Sequence, residues 1–152
     1  MIVRKAYWVI LSLLIVITSS CMKDDDSEYI SPQEQLELDI VTIEEYLEEN
    51  EIDAIEHESG IYYVVHEEGD AAGDTITDNS YITFKYEGRY LTNGNVFDSS
   101  ESYRYVLSGL IAGFRIIIPL VKEGAKVTMY IPRGYAYGSA ILIFDVEILK
   151  VE

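Results

Sequence analysis

Side chains able to do covalent chemistry are few in this chain. Its 152 residues hold two histidines, His57 and His66, and one cysteine, Cys21. Cys21 directly follows an apolar leader and is read below as a lipidation site, so no thiol remains as nucleophile or metal ligand. Asp98 and Ser99 offer a carboxylate and a hydroxyl, but adjacency in sequence is not the geometry of a Ser-His-Asp triad. No D-x-D-x-D-G calcium loop is present, and neither metal nor cofactor is expected. Aromatic residues are plentiful instead, with 13 tyrosines and 4 phenylalanines. A glycan-binding face is one reading of the tyrosines, and plain strand propensity is the simpler one. Phe97-Asp98 stands out because a large apolar ring and a carboxylate there can line one concavity.

The elements that must position this pair read as strands. Ile82, Phe84 and Tyr86 alternate with Tyr81, Thr83 and Lys85, the period-2 pattern of a half-buried strand. Asn93-Gly94 predicts a type I′ hairpin turn, which needs positive φ at both central residues. Tyr103 to Leu107 alternates again, and Ser59 to Glu68 reads as the first strand, rich in β-branched and aromatic residues. Residues 69–78 are a Gly/Asp/Ala loop without chemistry. Upstream, Ser31-Pro32-Gln33-Glu34 predicts a helix start, with Ser as N-cap, Pro in the first turn and Glu completing a capping box. Leu36, Ile40, Ile43 and Leu47 follow at helical spacing to about Asn50. Such a stripe can dimerise or pack on its own domain; packing, in a monomer, is expected.

Residues 1–20 have the form of a signal segment. Arg4 and Lys5 precede an apolar run from Ala6 to Ile17 that is short for a bilayer span, and Thr18-Ser19-Ser20 gives small residues before Cys21. The segment resembles a bacterial lipoprotein signal, with Thr18 where Leu is usual, and implies acylation of Cys21 and anchoring in the cell envelope. An ordinary signal peptide or a plain membrane anchor is the alternative. Residues 21–30 read as an acidic tether whose Lys23-Asp24-Asp25-Asp26 run is similar to surface-export signals of Bacteroidetes-like lipoproteins. The formal charge is −16, or −18 (−16 minus the 2 cations of the leader) after cleavage. Such a surface repels phosphate backbones and argues against nucleic-acid partners.

From residue 59 to 152 the motifs resemble, in order, those of the FKBP-type peptidyl-prolyl isomerases. Tyr86 to Ser100 (YEGRYLTNGNVFDSS) is similar to that family's Y-x-G-x-L-x-x-G-x-x-F-D-S-S signature. Gly109-Leu110-Ile111-Ala112-Gly113-Phe114 resembles its V-I-x-G-W turn, with Phe114 where Trp is usual. Gly124 to Pro132 resembles the strand ending in I-P, Tyr135-Ala136-Tyr137-Gly138 contains A-Y-G, and Leu142 to Leu149 resembles the closing L-x-F-D-V-E-L-L strand. The resemblance implies an α+β fold: a bent antiparallel sheet of five or six strands wrapped over one short helix, here preceded by the helical extension of residues 31–58. It implies peptidyl-prolyl cis-trans isomerisation, with proline-containing peptides or unfolded client proteins as partners. Tyr86, Phe97, Tyr103, Leu110, Ile111, Phe114 and Phe144 would form the apolar walls, with Phe114 as floor. Asp98 would face the amide carbonyl, while the Ile111 N–H and the Tyr137 hydroxyl would donate to the bound peptide.

Three departures from the pattern matter. The overhanging segment between A-Y-G and the closing strand is missing, since Tyr137-Gly138-Ser139-Ala140 runs almost straight into Ile141. The loop after Ser100 lacks the arginine that often steadies the aspartate, and Arg104 sits beyond it. Phe114 to Pro119 puts a proline and three isoleucines into the helix segment, which predicts a helix of about two turns ending near Ile118. One wall of the pocket is therefore expected to be open. A non-catalytic module that keeps the fold to bind peptides is the alternative function.

Overall fold

The computed structural model describes residues 30–152. The leader, Cys21 and the tether as far as Tyr29 lie outside the described residues. Two helices and six strands run in the order α1 (Pro32–Glu49), β1 (Ile55–Glu56), β2 (Tyr62–Glu67), β3 (Tyr81–Tyr90), β4 (Val96–Val106), α2 (Ala112–Ile117), β5 (Lys126–Ile131), β6 (Leu142–Val151). The strands form one sheet in the order β1-β2-β5-β6-β3-β4, every pairing antiparallel. The architecture is thus α+β.

Helix α1 starts as its sequence dictates. The Ser31 hydroxyl accepts the Glu34 N–H, and the Glu34 carboxylate accepts the Ser31 N–H, satisfying two donors that the first turn leaves open. Its buried stripe holds Ile43 and Leu47, and also Asp39. Helix α2 is short, as expected: it ends at Ile117, then tightens into a 3-10 turn over Ile118–Leu120 around Pro119, which has no N–H to continue the α pattern.

The hairpin corrects an expectation. Gly94 has φ of +69°, but Asn93 does not take positive φ, so the turn is not type I′. Gly94 N–H instead reaches back to the Tyr90 carbonyl at 2.8 Å, and Tyr90 N–H bonds the Asn95 carbonyl, closing a four-residue loop. The Asn93 side chain accepts the Asn95 N–H, which favours this shape over a tight turn. Leu91, buried and bonded through its N–H to the Ile141 carbonyl, ties the loop to β6. The segment read as a separate strand from Tyr103 is the far end of one long β4, with register shifts against β3.

Alternation on β5 and β6 divides the core between two faces. Val127, Met129, Ile131, Phe144, Val146 and Ile148 point to α2 with Phe84, Phe114 and Ile117. Tyr130, Ile143 and Tyr62 point the other way, to Ile43 and Leu47 of α1. The sheet is therefore covered on both faces where α1 crosses it. Beyond α1 the same face turns polar: His66 Nε2 lies 2.8 Å from Thr128 Oγ1, whose hydroxyl donates to Asp145 at 2.6 Å, and Asp145 pairs with Arg89.

Candidate functional site

A concavity lies on the α2 face. About 260 Å³ of space is lined by side chains of β3, β4, β6, α2 and the segment entering α2. Its base is aromatic because alternate residues of three elements converge there. Phe84, Phe114 and Phe144 are nearly fully buried. Phe114 meets Phe144 edge-on at 5.0 Å between centroids, and Phe84 lies 5.7 Å from Phe114, separations typical of favourable ring pairs. Tyr86 and Tyr103 stand over this base, each within about 6 Å of Phe84. Tyr105 stacks on Tyr103 at 5.8 Å and 11° and extends the wall outward. Leu110 and Ile111, brought in by the turn after β4, complete the opposite side.

Polar groups sit only at the rim. The Tyr86 hydroxyl donates to Asp98 at 2.7 Å. Burial, and then that bond, push the Tyr86 hydroxyl up to about 12, so it stays a donor at neutral pH. Tyr137 is raised as well, through burial first and the Asp98 charge second. Its hydroxyl and the Ile111 N–H have no acceptor among the described residues, which leaves both free for a ligand. Arg104 turns away from Asp98 to Glu152 at 2.5 Å and lies over the Tyr81 ring.

Of the residues expected at the site, the structure brings Tyr86, Asp98, Tyr103, Leu110, Ile111, Phe114, Tyr137 and Phe144 around this one cavity. Phe97 is the exception and does not line it. Its ring folds over Gly88, where an added Cβ would come within 2.6 Å of it, and it backs Phe144 edge-on at 5.6 Å. The bare Gly88 backbone is what lets the ring sit behind the wall. Phe84, Tyr105 and Gly109 also line the cavity and were not singled out. Phe84 and Tyr105 carry a signal, since each lies two residues from a named wall residue on the same face of its strand. His57 bonds Ser59 and His66 bonds Thr128, so neither histidine reaches Asp98 or Ser99. The rim between the 3-10 turn Arg133–Tyr135 and β6 is the short run of residues 136–141, from which only Tyr137 reaches over the well.

Comparison with known proteins agrees with this geometry. A sequence model described as FKBP-type peptidyl-prolyl cis-trans isomerase matches residues 73–149. The probable FKBP-type isomerase FkpA of Neisseria meningitidis is 36% identical over 107 residues, 61% of this chain and 38% of that protein. The isomerase Mip of Coxiella burnetii is 32% identical over 108 residues, 62% of this chain and 46% of that protein. The chain thus spans less than half the length of these curated relatives. The crystal structure of FkpA from Escherichia coli superposes with a TM-score of 0.65 at 29% identity, covering 79% of this chain and 64% of that one. An isomerase structure from Pseudomonas syringae, at 22% identity and TM-score 0.64, covers 76% of this chain and 95% of that one and shows the same fold. Residues 73–149 make up half of the chain and contain every side chain that lines the cavity, and on that ground the chain belongs to the FKBP-type peptidyl-prolyl cis-trans isomerase family.

Proposed function

We propose that the protein is a peptidyl-prolyl cis-trans isomerase acting on Xaa-Pro bonds of extended peptides or unfolded client proteins. The observation that supports it is the distribution of polarity: Phe84, Phe114 and Phe144 at the base, donors and one carboxylate only at the rim. Resonance holds an amide planar behind a barrier of about 18–20 kcal/mol, and rotation needs no nucleophile, metal or cofactor. The twisted amide has lost that resonance and its carbonyl carries less charge. It therefore loses less than the planar form on entering an aromatic well. Binding the twisted form better by about 1.4 kcal/mol is worth about tenfold in rate. In this reading the proline ring rests on Phe114 between Tyr86, Tyr103, Leu110 and Phe144. Asp98, oriented by Tyr86, faces the amide carbonyl, while Ile111 N–H and Tyr137 donate to the peptide on either side. Its client-facing work belongs in the cell envelope, with acylated Cys21 as the anchor.

One observation favours a second reading, a peptide-binding module without catalysis. The rim at residues 136–141 leaves Tyr137 64% exposed, and a well open to water discriminates less between planar and twisted amides. Exchange NMR on a short Xaa-Pro peptide separates the two, using the full chain in detergent. The isomerase reading expects faster cis-trans exchange, reduced about tenfold or more by Asp98→Ala and about threefold to tenfold by Tyr137→Phe. Peptide binding without acceleration would leave the binding module standing and remove the enzyme.

A further inference from the structure

Tyr137 keeps its place at the cavity mouth with little help from its own side chain. Its ring is mostly exposed and meets Phe97 edge-on at 6.4 Å between centroids. Its backbone, by contrast, is held firmly. The Arg133 carbonyl accepts the Ala136 N–H at 3.1 Å and the Gly138 N–H at 2.9 Å, bracketing Tyr137. Gly138 closes that turn at φ of +83°, a value side chains disfavour. Where Tyr137 points therefore depends on where Arg133 sits.

Arg133 is held from the other side of the molecule. Asp39 on α1, only 1% exposed, accepts the Arg133 backbone N–H at 2.8 Å and its Nε at 2.9 and 3.1 Å. Arg133 Nη2 lies 2.9 Å from the same carboxylate. Gln35, one turn earlier, donates Nε2 to Asp39 at 3.0 Å. Burying a carboxylate on a stripe otherwise made of Leu36, Ile40, Ile43 and Leu47 is costly, and an apolar residue would fasten the helix at least as well. What an apolar residue cannot do is grip both the backbone and the guanidinium of Arg133 in one orientation.

We propose that Asp39 is a positioning residue for the site: through Arg133 it fixes the turn that presents Tyr137 to the bound peptide. Helix α1 is then a working part of the site. The inference rests on the isomerase reading only for what Tyr137 does, and the placement of its ring can be read without any activity.

The test uses the full chain in detergent, labelled with 3-fluorotyrosine, with Tyr137→Phe identifying the Tyr137 signal by fluorine NMR. Asp39→Asn is expected to shift that signal and to lower kcat/KM about tenfold. On a Tyr137→Phe background the same change is expected to cost less than about twofold, because the two residues act in one line. Leu47→Ala loosens the same helix without touching Arg133 and is expected to leave the signal in place. An unmoved Tyr137 signal in folded Asp39→Asn, or an equal loss in both backgrounds, would overturn the proposal and leave Asp39 as a fastener of α1. Should Asp39→Asn fail to fold, Arg133→Lys replaces it, since it keeps the charge but loses the planar two-point contact, and the same outcomes decide. If the unaltered protein has no isomerase activity, that reading falls while the fluorine signal still decides this one.

Discussion

Among the described residues no cation stands beside Asp98; a phenol does the holding. Since burial and the Asp98 bond raise the Tyr86 hydroxyl to about 12, the sign of its pH dependence follows. The neutral phenol contributes its stability in full below the ordinary tyrosine value of about 10, and that contribution is lost as pH rises from there through about 12. With carbon-13-labelled tyrosine rings followed by NMR, Tyr86 is expected to titrate near 12, and Asp98→Asn to bring it down while burial keeps it above 10. An unchanged midpoint in the variant would assign the whole shift to burial. That Tyr86 and Asp98 belong to one site was legible because both lie in one hairpin motif, whereas the bond between them is seen only in the structure. Asp39 was not, because a carboxylate on a glutamate-rich helix looks solvated. Its one signal is spacing: it lies three residues after Leu36 and four before Ile43, on the buried stripe.

The element with the largest consequence is α1. Ile43 is fully buried between the helix and the sheet, so Ile43→Ala is expected to destabilise the fold by about 2–5 kcal/mol in denaturant unfolding. A loss below about 1 kcal/mol would mean that α1 only rests on the sheet. The start of α1 was legible to the residue, because a capping box is a local device. The hairpin was legible only as a place. Asn93-Gly94 marks a turn, but the four-residue loop it forms is also tied to β6 by Leu91 on Ile141, a contact about fifty residues away that no dipeptide preference contains. Strand order was beyond periodicity altogether. Nothing in the alternation of Tyr62 to Glu67 names Lys126 to Ile131 as its partner, and the resemblance implied an antiparallel sheet of five or six strands without its order.

At the scale of the molecule, 27 acidic against 11 basic residues make a surface that repels other anions. Under the proposed anchoring, Cys21→Ala is expected to move the protein from the membrane fraction to the soluble one on cell fractionation; retention in the membrane would point to the leader itself as the anchor. The sheet order carries a different consequence, in the time domain. Tyr62 pairs with Tyr130 and Phe84 with Ile148, so the first strands made must wait for the last. Topologies dominated by such distant pairings form in milliseconds to seconds rather than microseconds. The seat of α1 is assembled from Tyr62, Tyr130 and Ile143, residues that become neighbours only after the ribosome has released most of the chain. The helix synthesised before any strand is thus the part the finished sheet receives late, and the mouth of the cavity takes its shape only when that helix has docked.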